Sequence, residues 1–168
     1  TPEDRSEYED LTTKVIPALR VIESESRESS QALTAQRSTL VTKTKALAAT
    51  HGFAPLDVES MRAVIAACAA DAATHRGQWS NYNASLSKVS AALRTAAGCE
   101  CPTCMQTVNN HDILTEYKAE LVEKARVENE ALRAVEVRSS AAQDVLRGIQ
   151  DATDLGGRIK LALEAEAA

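Results

Sequence analysis

Apolar residues recur at alternating steps of three and four along much of this chain, the spacing that places side chains on one face of a helix. One stripe comprises Val58, Met61, Ile65, Cys68, Ala72, His75, Trp79, Tyr82, Leu86, Val89, Leu93 and Ala96. A second comprises Leu114, Tyr117, Leu121, Ala125, Glu128, Leu132, Val135, Ser139, Ala142, Leu146 and Ile149. Each is sustained over about five heptads, which is typical of a coiled-coil seam. The pattern therefore predicts an all-α fold containing two long helices.

The first stripe is not wholly apolar. For His75 we expect a hydrogen-bonded or edge-exposed imidazole rather than a metal ligand. Cys68 is expected to be a small buried side chain, and Trp79 and Tyr82 are expected to pack in the seam.

Between the two stripes the sequence reads Cys99-Glu-Cys101-Pro-Thr-Cys104. Gly98 and Pro102 disfavour a helix that continues through this segment. The chain is therefore expected to reverse here, so that the two apolar stripes face each other in an antiparallel coiled-coil hairpin. Folding the chain about the midpoint of Cys101 and Cys104 places Trp79 opposite the region of Arg126.

An additional helix is predicted before the first stripe, with Thr1 and Pro2 at its start, and Pro17 is expected to kink or divide it. It is followed by a break, after which Asp57 is expected to cap the next helix. The first helix either continues the rod without most of its partner or folds back on the following helix as a third helix. Gly148 and the pair Gly156-Gly157 predict a late break.

These signals divide the chain into five segments. They are an N-terminal helix at 1–48, a break at 49–57, an ascending coiled-coil helix at 58–97, a turn at 98–110, and a descending helix at 111–168 with a late break near 148–157.

Composition and charge argue against two classes of function, nucleic-acid binding and membrane insertion. The 168 residues carry 19 Lys and Arg against 24 Asp and Glu, a formal net charge of −5, and only 3% are aromatic. Duplex binding needs clustered basic residues, so we expect no direct nucleic-acid binding by this segment. No apolar run is long enough to span a membrane and no secretory signal opens the chain. We therefore expect a cytoplasmic protein, and no membrane partner.

The cysteine cluster carries the candidate chemistry. Cys101 and Cys104 have the Cys-x-x-Cys spacing that lets two thiolates reach one Zn²⁺ from a tight turn. Structural zinc takes four ligands, so two more must come from a second chain or from elsewhere in this one. Within one chain, Cys99 and His111 would complete a set of three cysteines and one histidine.

Two other interpretations are a redox-active cysteine pair, which usually follows a strand in a βαβ setting, and a helical scaffold with incidental cysteines. No nucleophile–base arrangement is present, and a site closed by four protein ligands has no open position for chemistry. We therefore expect this segment not to be an enzyme.

The motif Cys101-Pro102-Thr103-Cys104, between two helices with heptad repeats, resembles the zinc hook of SbcC-type, SMC-like ATPases of DNA double-strand-break repair. The resemblance covers about Val58 to Ile149. It implies that Cys101 and Cys104 are the zinc ligands and that two tips share one Zn²⁺ in a homodimer. It further implies a nucleoid-associated parent ATPase that works with a nuclease and binds DNA through head domains. No G-x-x-x-x-G-K-[ST] motif lies in this segment.

Overall fold

Three helices make up almost all of the structure, a computed structural model that describes residues 11–95, 99–100, 106–108 and 111–167. A short π-helical segment, Leu11–Val15, precedes α1 (Ile16–His51), which is followed by α2 (Val58–Thr95) and α3 (His111–Ala167). Two short strands, β1 (Cys99–Glu100) and β2 (Thr107–Val108), lie between α2 and α3. The all-α prediction is confirmed for the described residues.

The chain forms two compact units. The first, which we call the terminal unit, contains residues 1–60 and 144–168; the second, the central unit, contains residues 61–143. The long helix α3 contributes its first part to the central unit and its last part to the terminal unit.

Pro17 lies where the helical geometry changes: the π-helical segment Leu11–Val15 ends just before it, and α1 begins at Ile16. Proline has no backbone N–H and suits the first turn of an α-helix. At the other end Gly52 adopts a left-handed conformation with φ of 65°. The backbone N–H of Gly52 donates to the carbonyl of Ala49, and that of Phe53 donates to the carbonyl of Ala48 at 2.9 Å. These two bonds end the helix in a Schellman motif, and the side chain of Phe53 is buried behind it.

Asp57 caps α2, as the sequence predicts. Its carboxylate accepts hydrogen bonds from the backbone N–H of Ser60 at 2.7 Å and from the hydroxyl of the same residue at 2.9 Å. The backbone bond, reinforced by the hydroxyl, holds the pKa of Asp57 below its usual value. The cap satisfies a donor in the first turn that has no partner within the helix.

The late break expected near 148–157 is absent, because α3 runs unbroken through Gly148, Gly156 and Gly157. Two of these glycines are packing sites. A β-carbon on Gly148 would overlap the buried side chain of Thr44, and Gly156 lies beneath the guanidinium of Arg37. Within the terminal unit, α1 therefore lies close to the last part of α3 at Gly148 and Gly156, where the absence of a side chain permits close approach.

In the central unit, α2 packs on the first part of α3. Val89 and Ala92 of α2 form one buried cluster with Leu114 and Leu121 of α3. Farther from the turn, His75 of α2 contacts Glu128 of α3. Contacts nearer the end of α2 are thus made to residues nearer the start of α3.

Candidate metal centre and its supporting helices

The cysteine-rich segment is flanked by two antiparallel strands, β1 and β2. Cys99 is paired with Val108, and Glu100 is paired with Thr107. Glu100 and Thr107, which flank residues 101–106 in the sequence, therefore lie side by side in the ladder. Cys101 and Cys104, the predicted ligands, belong to this connection and lie outside the described residues.

The two alternative ligands fall on either side of the same ladder. Cys99 is in β1, where the structure describes its backbone. His111 is the first residue of α3; its side chain is exposed and its carbonyl accepts a hydrogen bond from the hydroxyl of Thr115 at 2.8 Å. In the described part of the chain, no group of three or more His, Cys, Asp and Glu side chains is arranged to hold a metal ion.

The donor chemistry of the turn fits zinc. Two thiolates separated by two residues can bind one ion from a short connection, and the ladder at Glu100 and Thr107 draws the ends of that connection together. Cys101 and Cys104 would hold the ion, which would supply a structural link. One chain then offers half of a tetrahedral thiolate set, and the other half must come from elsewhere.

A buried apolar cluster in the central unit joins the last part of α2 to the first part of α3. Leu114 and Leu121 are 4% and 3% exposed, and Val89 is 1% exposed. The partly buried side chains that pack against this cluster are Tyr82, Leu86, Leu93 and Tyr117. Burial of these large side chains anchors the helix ends from which the strands emerge.

A polar contact interrupts this seam farther along. The Nδ1 atom of His75 lies 2.6 Å from Oε2 of Glu128, and the carboxylate side chain is 16% exposed. With its amide nitrogen turned toward the carboxylate, Gln78 donates to both oxygens of Glu128, at 2.7 and 3.0 Å. His75 is therefore a hydrogen-bonded seam residue, as expected.

Other charged residues of the central unit pair on exposed surfaces. Arg126 contacts both Glu123 and Glu130 on its own helix, and Lys124 contacts Glu120 at 2.5 Å. Hydrogen bonding to Arg126 lowers the pKa of Glu123, and hydrogen bonding to Glu120 raises the pKa of Lys124. Exposed pairs of this kind contribute little to stability.

Comparisons with protein-family models, with curated proteins and with solved structures gave no match for this chain. None of the helices in the described ranges combines the length and apolar character needed to cross a membrane.

Two residues near the polar contact differ from the sequence analysis. Trp79 was expected to pack in the seam, yet its side chain is 40% exposed. Gln78 was not singled out, because it lies outside the apolar stripe. The signal that identifies it is its position three residues after a seam histidine, on the same face of the helix. Cys68 is buried, as expected.

Proposed function

We propose that this chain is a zinc-mediated dimerisation module, in which α2 and α3 form an antiparallel hairpin and the cysteine turn forms its tip. Two copies join tip to tip, and each contributes Cys101 and Cys104 to one Zn²⁺. By its resemblance to SbcC-type proteins, the module would tether two DNA-bound ATPase heads that work with a nuclease in a cytoplasmic, nucleoid-associated assembly.

The observation that carries this proposal is the ladder of Cys99 with Val108 and Glu100 with Thr107. It closes the base of the connection that bears the Cys-x-x-Cys motif. The hairpin is supported by the order of the contacts below it: Val89 clusters with Leu114, and the more distant His75 meets Glu128. A closed base and two thiolates in the connection favour an intermolecular site over a closed one, because each chain then supplies two of the four ligands.

Zinc would contribute most of the association energy. A tip of this size has little apolar surface to bury against a second tip, whereas stable interfaces usually bury above about 1,000 Å². Structural zinc sites contribute a large binding free energy, and this energy is lost when the thiols are protonated. Dimerisation is therefore expected to weaken on acidification before the helices unfold.

The test is the zinc content and the molar mass of the purified chain in solution. We expect about one Zn²⁺ for two chains in a dimer, and monomers after chelation. Cys101→Ser and Cys104→Ser should each abolish the dimer. Cys68→Ala is the matched cysteine control, because this buried thiol lies in α2 away from the turn.

One Zn²⁺ bound per monomer would contradict the proposal. If Cys99→Ser and His111→Ala then released the metal as readily as Cys104→Ser, the chain would instead be a monomeric helical interaction module with an internal three-cysteine, one-histidine site. A dimer that survives both chelator and acid would show that association depends on helix packing.

A further inference from the structure

The contact between His75 and Glu128 places two polar side chains in a coiled-coil seam that is largely lined by apolar ones. Their side chains are 30% and 16% exposed, and the seam on the turn side of them is formed by aliphatic and aromatic residues. Withdrawing a carboxylate from water is costly unless it is well hydrogen-bonded. Glu128 meets this requirement through His75 and Gln78, so all of its described partners come from α2.

The contact also agrees with the packing on its turn side. In an antiparallel pair, a step of one heptad forward on one helix matches a step of one heptad back on the other. Starting from His75 opposite Glu128, one step sets Tyr82 opposite Leu121. A second step sets Val89 opposite Leu114, and all four of these side chains belong to one cluster. One axial register therefore satisfies both the polar contact and the apolar one.

Apolar side chains alone specify a register weakly, since a shifted helix presents a similar stripe. A buried polar residue specifies it more strongly, because a shift leaves the polar group without its partner. The imidazole is short, so it can reach Glu128 over only a narrow range of axial positions. By contrast, the exposed Arg76 reaches Glu136, far along α3 from Glu128, by means of a long flexible side chain.

We propose that the contact of His75 and Gln78 with Glu128 sets the axial register of α2 against α3. The inference rests on the proposed hairpin. In that hairpin, the contact would align the end of α2 with the start of α3. A register shift would displace β1 relative to β2 and with them the two ends of the cysteine connection.

The register can be measured with the native Cys68 as a reporter. One heptad step from His75 away from the turn places Cys68 opposite Val135. We would replace Cys99, Cys101 and Cys104 by serine, so that zinc plays no part, and introduce Val135→Cys. Matched chains would carry Leu132→Cys or Ser139→Cys, which report shifts of three or four residues. Disulfide formation under mild oxidation is then quantified by non-reducing electrophoresis and mass spectrometry.

In the parent sequence we expect the Val135→Cys product to exceed the other two by roughly tenfold. The decisive variant exchanges two residues, Glu128→Leu with Leu132→Glu, and is made in the Val135→Cys and Ser139→Cys chains. Because His75 would follow the carboxylate, the main product should move to Ser139→Cys. The control exchanges the exposed pair, Arg76→Glu with Glu136→Arg, and should leave the Val135→Cys product dominant.

A second variant covers the case in which that exchange prevents folding. His75→Leu with Glu128→Leu should remain helical by circular dichroism, since both side chains are part-buried in the seam and apolar replacement of a polar pair withdrawn from water is often neutral or stabilising. Its cross-links should nevertheless spread over all three positions. Retention of the Val135→Cys product in both variants would overturn the proposal. Because no zinc ligand is present, this result is separate from any failure of zinc-mediated dimerisation.

Discussion

The two units of this protein contain helix contacts of different kinds, one made by large side chains and one made over a glycine. In the central unit, α2 and α3 meet through large side chains such as Leu121 and Val89. In the terminal unit, α1 meets α3 at Gly148, with Thr44 filling the space above the glycine and Arg37 donating to the carbonyl of Ala152 at 3.0 Å. At Leu121 and Val89 the packing depends on large buried side chains, whereas at Gly148 it depends on the absence of a side chain.

This difference determines which substitutions each unit tolerates. A seam of large apolar side chains loses stability when atoms are removed, because a cavity remains. A close approach over glycine loses stability when atoms are added, because the neighbouring helix must move. The same α3 therefore has two kinds of sensitive position along its length.

The largest effect is expected in the central unit. Leu121→Ala removes a side chain that is 3% exposed and should lower the free energy of unfolding by about 2–5 kcal/mol. Val122→Ala is the neighbouring control, since Val122 is 50% exposed and its truncation should cost less than about 0.5 kcal/mol. Urea denaturation followed by circular dichroism measures both. Equal losses for the two variants would mean that the seam does not lie where the structure puts it.

A smaller effect of the opposite chemical kind is expected in the terminal unit. Gly148→Ala should destabilise the protein by about 1–3 kcal/mol, because the new methyl group meets Thr44. Alanine is otherwise the better helix former by about 1 kcal/mol. Gly157→Ala is the control: nothing lies within 4 Å of its β-carbon position, so this variant should gain about 0.5–1 kcal/mol.

Thermal unfolding of the two glycine variants gives the comparison directly. Adding Thr44→Ala to Gly148→Ala removes the obstructing hydroxyl and methyl groups, and should restore part of the lost stability. If Gly148→Ala is as stabilising as Gly157→Ala, the close approach of α1 to α3 is not a feature of the protein in solution.

The smallest effect concerns the cap of α2. Because the pKa of Asp57 is lower in the folded chain than its ordinary value, its contribution to stability is present above the unfolded pKa and is lost as the pH falls through the folded one. Asp57→Ala should therefore lower the urea midpoint at pH 7 more than in the acid range below about 4. Asp57→Asn keeps an acceptor oxygen for Ser60, and should lose less at pH 7. A pH-independent difference between the parent and Asp57→Ala would contradict this account.

The sequence predicts the buried positions of α3 well as far as Ala142. Beyond that residue it does not identify the next fully buried position. From Ala142 a step of three leads to Val145 and a step of four leads to Leu146; both are apolar and both steps fit a heptad. The predicted stripe runs through Leu146, which is half-buried, whereas Val145 is fully buried. Periodicity cannot choose between the two, because the choice depends on which face the packed helix α1 covers.

Some features of the candidate site are predictable from the sequence and others are not. The Cys-x-x-Cys spacing and the breakers around it are local features, so the sequence is enough to predict a metal-binding turn at Cys101 and Cys104. The strand pairing of Cys99 with Val108 was not predicted, since two-residue strands have no periodicity of their own. The sequence also does not identify the partner of His75, because a seam histidine can bind any acceptor that the opposite helix brings near.

By itself, then, the sequence determined where helices form and which broad face of each is apolar, because spacing and capping act within a few residues. Only the tertiary structure decided the meaning of the glycines in α3. Alone, Gly148 and Gly156 weaken a helix and predict a break. Beside Thr44 and Arg37 they permit the close approach of a second helix, and packing of this kind can offset their poor helix propensity.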